Sequence, residues 1–228
     1  SDLESSPADA ARDYLPLHVE ALAALGRGAE AEALVAKYDR WLAPGQRTRL
    51  ARTLANAWVR AGDLPRARAG LRVAGADADS SDAAGWLALY DGRLGEARAL
   101  MKHVLAPGSD LALALGILAR TPGDSAPVLG AAFLALARGD SAGADARFVE
   151  AAGKHPEAAP AMLVAAARLR AARADTAGAT ALWQRIVAEH ADSPEAAESE
   201  LEWARVLRRR GDAAGAAAHL EHLILSAP

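Results

Sequence analysis

Three groups of residues in this chain have types and spacings that could do chemistry. Residues 139–143 read GDSAG, in which Ser141 could act as a nucleophile if a general base stood beside it. Residues 219–222 read HLEH, placing two imidazoles three positions apart on one helix. Residues 49–60 read RLARTLANAWVR, in which Arg49, Arg52, Asn56 and Arg60 fall three and four apart and so share one helix face.

The first two groups lack what their chemistry requires. A serine nucleophile needs a histidine held by an orienting framework. His155 and His190 follow Ser141, but no stretch alternates polar and apolar residues as a strand does. The turn also recurs without the serine: GDLP at 62–65, ADTA at 174–177 and GDAA at 211–214 put Leu64, Thr176 and Ala213 in its place. Ser141 therefore reads as the residue after a capping aspartate. A zinc site needs a third ligand beside His219 and His222, and none is evident. No phosphate loop, dinucleotide fingerprint, HExxH or nucleophile elbow occurs. The expectation is a non-enzyme without cofactor or metal. The third group keeps its promise, because guanidinium groups pair carboxylates bidentately.

The elements that must carry these residues are helices. Alanine, the best helix former, dominates the 52% of hydrophobic residues, and only 4% of the chain is aromatic. Helices are expected at 7–25, 29–43, 46–61, 64–73, 82–90, 93–105, 109–120, 125–138, 142–153, 157–173, 176–190, 194–210 and 213–225. VAGADADSSD at 73–82 reads as a loop, and SDLALALGILAR at 109–120 as an extra apolar helix. The net charge of −3 disfavours general nucleic-acid binding. No apolar run reaches the roughly 18 residues of a membrane helix, so no direct membrane insertion is expected. Cysteine is absent, which excludes disulfides and thiolate sites. The compartment stays open, with a bacterial periplasm or cell envelope favoured over the cytoplasm. The start at Ser1 is read as the trace of a removed signal peptide, tag or upstream domain.

Internal repetition organises the helices. Turns at Gly26, Gly62, Gly92, Gly139, Ala174 and Gly211 lie 36, 30, 47, 35 and 37 residues apart, mostly near the ~34-residue period of tetratricopeptide repeats. Glycine before each turn can take the left-handed conformation that ends a helix, and the aspartate after it can cap the next one. Behind the turn, Gly139, Asp140, Ala144, Phe148, Ala151 and Pro156 recur as Gly211, Asp212, Ala216, Leu220, Leu223 and Pro228. Gly62, Asp63, Ala67 and Leu71 repeat the first part, with Trp58 at a first-helix aromatic position. In this pattern the chain resembles the tetratricopeptide repeat (TPR) family over most of its length.

The resemblance implies an all-α, right-handed solenoid of about six helical hairpins with an irregular centre. It would form one domain over 1–228, with more degenerate repeats at 7–125 and more regular ones at 125–228. A break in superhelix curvature is expected near 74–125. It also implies a concave groove lined by the first helix of each pair. Carried over, the groove positions are Arg49, Arg52, Asn56 and Arg60, then Asp82 and Trp86, Leu129 and Phe133, Val164 and Arg168, and Leu201, Arg205, Arg208 and Arg209. Such a groove would be basic at both ends and apolar in the middle, suiting a protein or peptide partner with acidic groups. Arg52 and Asn56 resemble half of the carboxylate clamp of some co-chaperones in the family. Ala83 stands where a further Asn belongs, so only that half is present. At the last helix, Leu220, Leu223 and Ile224, with Leu225 beside them, make an apolar end face. Either the chain is a fragment, or this face packs on a partner or a second copy, as in a structural subunit of a larger complex.

Overall fold

A computed structural model describes residues 14–75, 82–102 and 109–226. Among these residues it is all-helical, and the only β pairing is an isolated bridge between Arg93 and Ser125. The chain divides into two compact units, Ser1–Asp91 with Gly95–Leu105 and Gly92–Leu94 with Ala106–Pro228.

The first unit contains α1 (Leu15–Ala24), α2 (Gly28–Tyr38), a 3-10 turn (Asp39–Trp41), α3 (Pro44–Arg60), α4 (Leu64–Ala74), α5 (Asp82–Tyr90) and α6 (Leu94–Met101). Each of α1, α2, α4 and α5 packs against α3, which makes α3 the organising helix. Its buried stripe is Leu50, Ala51, Leu54, Ala55, Ala57, Trp58 and Val59. Small residues let neighbours close in. A Cβ on Gly70 of α4 would sit 2.9 Å from the Ala51 carbonyl, and one on Gly85 of α5 would sit 2.6 Å from the Met101 side chain.

The second unit contains α7 (Ser109–Arg120), α8 (Pro127–Ala137), α9 (Ser141–Lys154), α10 (Ala159–Ala172), α11 (Thr176–Glu189), α12 (Pro194–Arg209) and α13 (Ala213–Ser226). From α8 onward each helix packs on the next, and α10 also touches α7 and α12. Phe133 and Phe148 meet edge-on at 5.2 Å in the core between α8 and α9.

The turns have the expected form. All six turn positions take positive φ, from 63° at Ala174 to 84° at Gly211. The aspartates that follow cap helices: Asp140, Asp175 and Asp212 each accept from a backbone N–H three residues on, at 2.8 Å, and Asp63 does so at 3.2 Å. Ser141 is the first residue of α9, directly after its cap. The glycine that ends GDSAG has a steric reason. A Cβ on Gly143, Gly178 or Gly215 would lie 2.0, 2.2 or 2.5 Å from the capping carboxylate.

Every expected helix has a counterpart. One boundary is corrected: the helix read over 29–43 ends at Tyr38 and gives way to the 3-10 turn, because Pro44 opens α3. The stretch read as 7–13 of the first helix, residues 76–81 of the loop, residues 103–105 of the helix read over 93–105, and Pro228 lie outside the described residues.

Candidate functional site

The strongest candidate is the outer face of α3. The helix starts on Pro44, and the Gln46 side chain accepts from the Ala43 N–H at 3.1 Å. Its buried stripe faces the neighbouring helices. At about 100° per residue, Arg49, Arg52, Asn56 and Arg60 fall on the opposite side, along roughly 16 Å of helix axis. Arg49 and Arg60 are exposed, while Arg52 and Asn56 are half-buried. Among the described residues, none of the three guanidinium groups has a hydrogen bond or an ion pair. Positions three and four away from Arg49 and Arg52 hold no acidic residue, and Asp63, three past Arg60, caps the next helix instead.

Asn56 has a definite task. Its side-chain oxygen accepts from the Ala83 N–H at 2.9 Å, capping the first turn of α5. Half of the amide is therefore structural, and only its NH2 end is left for a ligand. Trp86 lies on α5, half-buried, with its ring tilted against Tyr90 at 5.8 Å.

The expected contacts of the second unit differ. Phe133 is corrected from contact to core: it is 1% exposed, and Leu129 and Val164 are also buried. The physical reason is that α8 and α10 are apolar nearly all round, so no face of their middles is left for solvent. Arg168 bonds Glu198 at 2.6 and 2.9 Å, and Arg205 pairs with Glu202. Arg208 is exposed in the last turn of α12, where a cation complements the helix dipole. The α13 residues of the proposed end face are graded: Leu223 is half-buried, Leu220 is 39% exposed and Ile224 is 73% exposed.

Several polar groups come together that the sequence reading did not single out. Asp145, with a side chain only 8% exposed, accepts from Arg170 Nε at 3.0 Å and from Arg173 at 2.8 Å. Arg173 also donates to the Ser141 carbonyl at 2.6 Å, so the cluster ties α9 to the end of α10. The buried Glu200 lies 2.7 Å from His222 Nδ1, and the Trp203 and His219 rings meet at 4.0 Å, tilted by 38°, which commits both histidines of HLEH to the α12–α13 contact. Arg120 of α7 donates to Glu195 at 2.6 Å. Burial pushes the Glu195 carboxyl up, but the Arg120 hydrogen bond, a backbone hydrogen bond and the charges of Arg120 and His190 outweigh it. The net direction is downward. The available signal for Asp145 was a charge beside Ala144 and Phe148 on the buried stripe of α9.

Among the described residues, no three His, Asp or Glu side chains are grouped to hold a metal ion, and no helix is long and apolar enough to cross a membrane. No protein-family model, no curated protein and no solved structure matches this chain.

Proposed function

We propose that the chain is a non-catalytic helical-repeat scaffold of the TPR type, a solenoid of helical hairpins, which holds an acidic segment of a protein partner on the outer face of α3. One observation carries the reading. Arg49, Arg52 and Arg60 stand in a row without carboxylate partners, in a chain whose net charge is −3. Of the other arginines, Arg27, Arg47, Arg68, Arg120, Arg168, Arg170, Arg173, Arg185 and Arg205 are paired with carboxylates, while Arg208 and Arg209, also without one among the described residues, crowd the last turn of α12, where they complement its dipole. A row of unspent guanidinium groups on a rigid helix suits an extended acidic ligand. The turn geometry and the packing of successive helices support the repeat reading, and the contact positions are Arg49, Arg52, Arg60 and the free end of Asn56.

The test immobilises the chain beside an Arg52→Glu/Arg60→Glu variant and compares the partners that each column captures from the source organism's lysate. An acidic partner held by the first column and lost from the second is expected. Identical capture by both columns would move the interface elsewhere.

A second reading rests on the end face. Ile224 and Leu225 are 73% and 85% exposed on α13, as in a structural subunit that packs there permanently. Sedimentation separates the two readings. A monomer at all concentrations favours the scaffold, whereas self-association abolished by Ile224→Glu favours the subunit.

A further inference from the structure

The other side of α3 forms, with α2 and α4, a cleft of about 230 Å3. Leu54 and Trp58 of α3 and Ala69 and Gly70 of α4 make its floor, and Val35 and Val73 its walls. Val73 is 61% exposed although it is a large apolar residue. An ion pair stands at each end, and the two pairs differ. Arg47 is firmly engaged: it meets the Asp39 carboxylate at 2.8 and 3.2 Å and the Asp39 carbonyl at 2.6 Å. Arg66 is not. Its guanidinium lies over the Trp58 ring at 4.5 Å, with its nitrogens 3.6 Å from Glu32 and 3.5 Å from Asp63. Contacts that long are at or beyond the limit of a hydrogen bond. A donor on Arg66 and an acceptor on Glu32 therefore stand over an apolar floor with their capacity unspent.

We infer that this cleft binds one uncharged apolar residue of a polypeptide partner, with its side chain on Trp58 and its peptide group between Arg66 and Glu32. The volume is below the roughly 300–1,000 Å3 of sites for drug-sized ligands, so a single residue fits. The lining holds two arginines and two carboxylates, Glu32 and Asp39, so it offers no net charge to an ionic ligand. The loose Arg66–Glu32 pair presents one donor and one acceptor, the complement of a peptide C=O and N–H. The site does not depend on the arginine face, which points the other way.

The test titrates the 15N-labelled full chain with N-acetyl-leucinamide, N-acetyl-glycinamide and N-acetyl-leucine. The leucinamide is expected to shift the amide signals of Ala51, Ala69 and Gly70 saturably. The shift should be equal at about 0.05 and 0.3 M salt, because no net charge is involved. The glycinamide should bind about tenfold more weakly, for want of a side chain to bury. Val73→Asp, at an exposed wall position, should weaken leucinamide binding with the fold intact. Ala69→Leu should block it by filling the floor, and Arg52→Glu should leave it unchanged. Equal binding of glycinamide and leucinamide, tighter binding of the free acid, absence of saturable shifts at these amides, or indifference to both cleft variants would overturn the inference.

Discussion

Asp145 puts a full charge on the buried stripe of α9 and is kept there by two guanidinium groups from α10. Removing it would leave both arginines without their carboxylate. Asp145→Ala should therefore lower unfolding stability by about 1.5–3 kcal/mol in urea titration, since both arginines keep some solvent and a carbonyl partner. The pairing was not legible in the sequence, since Arg170 and Arg173 lie 25 and 28 residues away and only the packing of α10 brings them in. Ala174 gives the opposite case. It occupies a left-handed turn position, φ 63°, that glycine fills in the other five repeats. A Cβ is strained there, so Ala174→Gly should raise stability by about 1 kcal/mol, read as a higher urea midpoint. Here the repeat register in the sequence identified the position, and the structure supplied the angle.

At the level of elements, the helices were legible because strong punctuation bounds them. Glycine-aspartate turns close one helix and cap the next, and Pro44, Pro127 and Pro194 open others. What each helix exposes was less legible. Repeat register alone assigned Phe133 to a surface, yet α8 has too many apolar residues to leave its middle uncovered. The start of α12 is fixed by Arg120 on Glu195, which ties stability to pH. The Glu195 carboxyl titrates below its ordinary value near 4.5 in the folded chain. Its contribution is therefore present above about pH 4.5 and is lost as pH falls through the lower folded value. In urea midpoints measured from pH 7 to pH 3, the stability gap between the wild type and Glu195→Gln should be constant near neutrality and shrink on acidification.

For the whole molecule, the decisive feature is how charge is distributed between paired and unpaired arginines. The sequence placed Arg49, Arg52 and Arg60 on one face. It could not show that Arg168 and Arg205, offered on equal terms, are neutralised by Glu198 and Glu202. That difference removes Arg168 and Arg205 from the candidate site and leaves the row on α3. The interaction is with surface charge and should weaken as salt rises. The most direct test is a charge swap read by fluorescence anisotropy with labelled hexaglutamate and hexalysine. The wild-type chain should bind hexaglutamate and not hexalysine. Arg49→Glu/Arg52→Glu/Arg60→Glu should lose hexaglutamate by about tenfold or more and gain hexalysine. Undiminished hexaglutamate binding by that variant, or no binding by the wild type at low salt, would contradict the account.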